Sequence, residues 1–342
     1  MNRKGVQHLR VRITTPARLH LGIIDTRGDL GRIYGSIGVA IDKPNVKVEA
    51  IPCQILKAEG VDAERTLKIA QAFLNKFPRA RPVQISVSRT IPEHVGLGSG
   101  TQLSLAVGAA IASLYGLKAN VREIAKALGR GIVSGVGVNV FERGGFILDA
   151  GRKSVIETAP IQSGLPLTLL QTKFPEEWRF VVAIPNAGTG LSGRAESEAL
   201  SNLPPSSPEL VGKICRLIIM KMLPSLIEKN LKEFGESLTT VQNLVGESFN
   251  QAQGGNFFSS LIEDCVQFMV TSGAYGAGQS SWGPTVYGLV DNDRNAEMLK
   301  RRVERFLNDR DGGTVFVARA NNGGARILSR TDGRKHLTVS QK

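Results

Sequence analysis

The chain has 342 residues, enough for about two domains, and with 42% hydrophobic and 21% charged residues it excludes wholesale disorder, collagen and a continuous coiled coil. Lysine and arginine outnumber aspartate and glutamate by 43 to 30, a net charge of +13 whose field attracts phosphates, acidic metabolites or nucleic acid. Three dispersed cysteines, Cys53, Cys215 and Cys265, exclude a zinc knuckle or a secreted disulfide framework, so a reducing cytoplasm is the expected setting.

The basic start has no apolar signal core, and no targeting peptide is expected. Val11, Ile13, Leu19, Leu21 and Ile23 alternate as a strand, and a glycine-rich stretch from Gly28 to Gly38 follows. Val39, Ile41, Val46 and Val48 predict a β-hairpin. Leu67, Ala70, Leu74 and Phe77 predict a helix with Asp62 as N-cap and Pro78 as its stop. Val83, Ile85 and Val87 form a strand leading into Gly96-Leu97-Gly98-Ser99-Gly100, which opens onto an apolar helix. The nearly apolar run Leu103–Leu117 is too short to span a bilayer and reads as a buried helix, so no membrane partner is expected. Asn120 and Glu123 have capping-box spacing, with Gly129 as the stop. A boundary is expected between Gln162 and Pro175, separating domains at 8–165 and 175–330. The second half begins with the strand Phe180–Ile184. Helical patterns follow around Leu210–Leu223, Leu231–Leu244 and Phe257–Val270, then a strand at Thr285–Val290, a helix at Asn295–Leu307 and a strand at Thr314–Val317; the tail after Arg330 reads as polar and loose.

The strongest chemical signal is the run from Pro92 to Gln102, at the end of a strand and the start of a helix. Small residues there let backbone N–H groups approach a phosphate, and the helix end adds unpaired donors and a positive dipole. The loop lacks the lysine of a Walker A sequence, which excludes the ordinary nucleoside-triphosphatase loop.

Pro-x-x-x-Gly-Leu-Gly-Ser resembles the phosphate loop of the GHMP superfamily, named for galactokinase, homoserine kinase, mevalonate kinase and phosphomevalonate kinase. Pro16-Ala17-Arg18-Leu19-His20-Leu21-Gly22 is similar to its first motif, and the run from Ser272 to Gln279 to its third. The resemblance implies a two-domain α+β fold, with an N-terminal domain like ribosomal protein S5 domain 2, a ferredoxin-like C-terminal domain and the ligand cleft between them. Four longer segments resemble one branch, the β-ribofuranosylaminobenzene 5′-phosphate synthases of methanopterin biosynthesis: Arg18 to Asp25, Gly96 to Gln102, Val140 to Gly151, and Ala277 to Pro284. The kinases commonly carry Ser or Ala where Gly100, Thr101 and Gln102 stand. Many also place a catalytic Asp shortly after a Ser-Gly pair, whereas Ser134-Gly135 is followed here by Val136-Gly137-Val138-Asn139.

What that branch implies is the joining of 5-phosphoribosyl 1-pyrophosphate to 4-hydroxybenzoate or 4-aminobenzoate, with release of carbon dioxide and pyrophosphate. Mg²⁺ is the expected cofactor, and a homodimer the expected assembly. Gly96, Gly98, Ser99, Gly100, Thr101 and Gln102 would bind phosphate, and Gly278, Gln279, Ser280 and Trp282 the substrates. Arg18 suits a phosphate or the benzoate carboxylate, and equally a structural salt bridge; Arg32 and Arg130 are weaker candidates of the same kind. Asp25 is the first candidate for base and metal ligand, or else a turn aspartate capping Gly28. His20 is a second acid–base candidate, or a packed core histidine. Glu142 is a third, or one half of an ion pair on an exposed hairpin. Trp282 could stack on the benzoate ring or serve only in packing. Two alternatives differ in class. One is an ATP-dependent GHMP kinase, opposed by the missing Asp; the other is an RNA-binding module, opposed by the dispersion of Lys and Arg without interleaved aromatics, so no nucleic acid partner is expected.

Overall fold

The computed structural model describes residues 9–154, 164–190, 193–331 and 334–338; the basic start and part of the expected domain boundary lie outside them. Two long strands, β1 (Arg10–Asp25) and β2 (Arg32–Pro52), run antiparallel and carry the first sheet. β3 (Lys57–Gly60) leads into helix α1 (Ala63–Lys76), and β4 (Val83–Arg89) leads through the glycine loop into α2 (Ser99–Leu114). Helices α3 (Val121–Ala127) and α4 (Val136–Glu142) follow, then β5 (Phe146–Asp149), β6 (Arg152–Lys153) and β7 (Thr168–Thr172). The order β3-β4-β2-β1 continues into two strands from the other end of the chain, β12 (Arg326–Thr331) and β13 (Arg334–Thr338), with β5 and β6 also paired to β2. The expected loose tail therefore includes a strand, because β1 offers its free edge to β12.

The expected hairpin at Val39–Val48 is one continuous strand. Both halves of β2 pair with β1, Thr15 opposite Val46 and Ala17 opposite Ile41, so residues 42–45 bulge out beside Pro16 instead of reversing the chain. A second irregularity between His20 and Gly22 bends β1 where it enters the cleft. Asp62 does occupy the N-cap of α1, but in left-handed conformation and without a side-chain cap; its carboxylate accepts from the Thr90 hydroxyl at 2.9 Å. The Asn120–Glu123 capping box at α3 forms as its spacing implies.

The second sheet contains β8 (Arg179–Pro185), β9 (Gly276–Gln279), β10 (Val286–Val290) and β11 (Gly313–Arg319). Between β8 and β9 lie α5 (Gly193–Asn202), α6 (Pro208–Leu217), a π-helical segment (Ile218–Met222), α7 (Leu223–Ile227), α8 (Leu231–Gln253) and α9 (Ser260–Thr271). Helix α10 (Asp293–Asn308) separates β10 from β11. The order β11-β8-β10-β9 is that of a ferredoxin-like β-α-β-β-α-β unit.

Strand β8 is buried on both faces, which explains its unbroken apolar run. Val181 and Ala183 pack with Met269, Leu299 and Val303, while Phe180 and Val182 join the main core, which is continuous with that of the first sheet. Phe234 of α8 is the connection. Its ring meets Phe146 of β5 at 6.3 Å, Phe174 at 5.6 Å and Trp178 at 5.3 Å. Helix α2 is apolar nearly all round because it is covered on all sides, by both long strands, α1, α3 and α4.

Phe234→Ala should therefore destabilise the protein by about 3–5 kcal/mol, read as a lower urea midpoint in denaturation followed by far-ultraviolet circular dichroism. A midpoint unchanged from wild type would separate the two cores.

Candidate active site

The β4–α2 loop and the turn after β9 meet backbone to backbone. A Cβ on Gly96 would collide with the Ser280 carbonyl, and one on Gly283 with the Val95 carbonyl group, so neither position accepts a side chain. The Gly96 carbonyl at this seam accepts twice, from Arg18 Nη1 at 2.6 Å and from the Ser280 hydroxyl at 2.7 Å. Ser280 also accepts from the His20 N–H at 2.9 Å. Ser280 is fully buried, so its hydroxyl couples three segments and is not free for a ligand.

A cleft of about 280 Å³ opens beside this seam, and Arg18, His20, Thr101, Arg130, Ser134 and Glu196 are among its lining residues. Its cationic end lies at the start of α2. Gly98 is the left-handed N-cap, and the first helical N–H groups, from Ser99, Gly100 and Thr101, lack partners within the helix. A Cβ on Gly100 would lie 3.1 Å from Arg65 Nη2 and 3.3 Å from Arg130 Nη1, so the absent side chain lets two guanidinium groups reach over the helix end. Arg65 is held by an ion pair with Glu93, and Arg130 Nε donates to Ser104 Oγ at 3.0 Å. Burial, then the neighbouring Arg65 charge, holds Arg130 below its usual range. Burial also lowers Arg18, to about 10, against the opposing pull of Glu196.

The other side of the cleft is aromatic and acidic. Trp282 is buried edge-on against Phe249 at 4.9 Å, and Glu196 lines the same cleft, its carboxyl pushed upward by burial while Arg18 pulls it down. His20 Nε2 shares a hydrogen bond with Ser134 Oγ at 3.2 Å. Burial, with the Arg18 charge second, depresses its imidazole to about 3, so His20 is neutral at physiological pH and a weak base.

The remaining candidates divide clearly. Gln279 uses its side chain within the protein, accepting from Phe258 N at 2.7 Å and donating to the Ser281 carbonyl at 2.8 Å. Gly278 gives room to Gln242 of α8, and Gln102 donates to the Gly137 carbonyl at 2.8 Å, fixing α2 against α4. Asp25 does not line the cleft; its carboxylate accepts from the N–H groups of Arg27 and Gly28 at 2.6 and 3.1 Å, in the turn arrangement. It borders a separate, more apolar pocket of about 410 Å³, beside Arg32, whose guanidinium donates to the carbonyls of Ala150 and Gly151. Glu142 ends helix α4 rather than an exposed hairpin and pairs with Arg122 at 3.3 Å, away from the cleft lining. Asn139 is locked by Gly135, Arg122 and Thr168.

Sequence reasoning passed over Glu196, Phe249 and Ser134. Glu196 sits in an ordinary amphipathic helix with no motif around it, and only the chain's return across the cleft brings it to Arg18. Among the described residues no three His, Cys, Asp or Glu side chains converge as a metal cluster, and Glu196 is the one carboxylate in the cleft lining. No helix among the described residues is long and apolar enough to cross a membrane.

The family model described as GHMP kinases N terminal domain matches residues 64–145, and the GHMP kinases C terminal model matches 222–309. The chain is 35% identical over 327 residues to β-ribofuranosylphenol 5′-phosphate synthase of Archaeoglobus fulgidus, covering 93% of this chain and 99% of that one. It is 32% identical to the protein of the same name from Methanocaldococcus jannaschii, with 92% and 99% covered. Among solved structures, mevalonate kinase of L. major in complex with R-mevalonate superposes with a TM-score of 0.65 at 14% identity, covering 91% of this chain and 96% of that one, a likeness of fold.

The depressed His20 imidazole has a signed consequence. Between its ordinary value of 6.5 and about 3 the unfolded chain binds a proton that the folded chain refuses, so this group's contribution to stability is present above pH 6.5 and is lost as pH falls. Asp149, raised to about 6 by burial, acts in the opposite sense. A His20→Asn variant should thus lose less stability than wild type between pH 7.5 and pH 5 in urea titrations; parallel losses would mean that His20 titrates normally.

Proposed function

The chain belongs to the β-ribofuranosylphenol 5′-phosphate synthase family, within the GHMP superfamily, and we propose that it joins 5-phosphoribosyl 1-pyrophosphate to 4-hydroxybenzoate, releasing carbon dioxide and pyrophosphate on the route to methanopterin. The hydroxy acceptor is favoured over 4-aminobenzoate because the relatives are named for a ribofuranosylphenol product. One observation carries the reading: a cationic helix end and an aromatic, acidic wall face the same cleft.

Departure of pyrophosphate from the anomeric carbon leaves negative charge on the leaving oxygen. In this proposal the free N–H groups of α2 and the Arg130 guanidinium receive it, with Arg65 adding charge from behind; preorganised donors in a desolvated site suit developing charge. Arg18 donates one N–H to Gly96 and has others left for an oxyanion, either phosphate or the benzoate carboxylate. The ring of the acceptor lies along Trp282 and Phe249, presenting its carboxylate-bearing carbon to the anomeric centre. The new carbon–carbon bond forms there, and loss of carbon dioxide restores aromaticity.

The expected Mg²⁺ belongs to the diphosphate. With one carboxylate among the described lining residues, facing the Arg18 charge, the cleft fits a metal that arrives with the diphosphate better than one held by the protein. A cytoplasmic homodimer is part of the same proposal.

Carboxyl-labelled 4-hydroxybenzoate should release labelled carbon dioxide only when 5-phosphoribosyl 1-pyrophosphate is supplied, and ATP should not replace it. Arg130→Ala should raise KM for the phosphoribosyl donor by roughly 10–100-fold, the scale of a lost charge-assisted hydrogen bond, while KM for the benzoate changes little. Donor-independent release, or an Arg130→Ala variant with unchanged donor KM, would refute this arrangement.

A further inference from the structure

Glu196 reaches the cleft from α5, and two neighbours define its environment. Trp282 lines the cleft beside it, and Arg18 acts on its carboxylate as counter-charge. Trp282 is itself held edge-on by Phe249, so the carboxylate shares the cleft with a fixed aromatic wall. Among the described lining residues, the side chains able to take up a proton are Glu196 and His20. His20 is a poor acceptor beside Arg18, with Nε2 engaged by Ser134, whereas burial pushes the Glu196 carboxyl up and makes it the stronger base.

Resting on the transferase reading above, we propose that Glu196 takes the proton from the para hydroxyl of the benzoate as the ring attacks, and returns it as carbon dioxide departs. In the first step the O–H bond breaks toward Glu196 and the oxygen pair moves into the ring. The carboxylate-bearing carbon bonds to the anomeric carbon, and pyrophosphate leaves with the pair of the C–O bond. In the second step the bond to the carboxylate breaks, its electron pair restores the aromatic ring, and the oxygen recovers its proton from Glu196. The residue ends as it began, and no oxidant or reductant enters.

Glu196→Gln keeps the size and polarity of the side chain and removes the base. With 4-hydroxybenzoate its kcat for carbon dioxide release should fall by about 10²–10⁴-fold, with KM for the phosphoribosyl donor within about threefold of wild type. The discriminating probe is tetrafluoro-4-hydroxybenzoate, whose hydroxyl is already ionised in neutral water. Fluorine slows the ring for both enzymes, so the ratio of wild-type to variant kcat is the quantity read, and it should shrink at least about tenfold relative to the natural acceptor. Glu196→Asp, a shorter base, should recover part of the loss. A variant as fast as wild type, or a deficit equal for both acceptors, would overturn the role. Absence of donor-dependent release from wild type itself would overturn the transferase reading and this inference with it.

Discussion

Two hydrogen bonds converge on the Gly96 carbonyl, one from the β1 guanidinium of Arg18 and one from the Ser280 hydroxyl after β9. The acceptor lies in a backbone-to-backbone seam closed by Gly96 and Gly283, where an unpaired carbonyl would cost about 1–3 kcal/mol. Much of the site depends on this junction. It sets the entry of the chain into α2, it ties β1 to the second domain, and through Ser280 it fixes the His20 backbone. The three glycine-bearing segments are thus parts of one joint, and much of their shared character is steric rather than ligand-directed.

Desolvation does the rest of the electrostatic work. Arg18 and Glu196 face one another in a cleft where each charge, alone, would be costly, and each moves the other toward its ionised form. His20 has no such counter-ion and is left neutral. At the helix end the balance differs: the Arg65 charge adds to the cost of the half-buried Arg130, an arrangement that a polyanion would relieve. The Gly100-Thr101-Gln102 tripeptide accounts for this region locally. Gly100 makes room for the guanidinium groups, Thr101 packs against Gly137, and Gln102 anchors the helix to α4.

Elements whose burial is periodic were legible in the sequence. The alternation in β1 and β4, the apolar α2 and the Asn120–Glu123 box all appear where their patterns imply. The hairpin at Val39–Val48 misleads because residues 42–45 have turn chemistry, yet both flanks find the same partner in β1. The cleft lining was legible where motif and wall coincide, at Arg18, His20, Thr101 and Trp282. Asp25 and Glu142 show the limit. Each lies in a segment that resembles a catalytic family, but a turn claims one carboxylate and Arg122 the other. Glu196 shows the converse, since a residue delivered by tertiary return leaves no local trace.

The likeness to kinases of low identity is one of fold. In the function proposed above, the free N–H groups at the start of α2 serve the expulsion of pyrophosphate, because preorganised donors suit charge developing on oxygen. After Ser134-Gly135 this chain has Asn139, whose amide donates to the Gly135 carbonyl and accepts from Arg122 and Thr168, so that position is structural. The carboxylate in the cleft comes instead from α5, on the aromatic wall beside Trp282. With Asn139 held by the scaffold, the one carboxylate among the described lining residues stands on the aromatic side of the cleft, and the transfer proposed above rests on that placement.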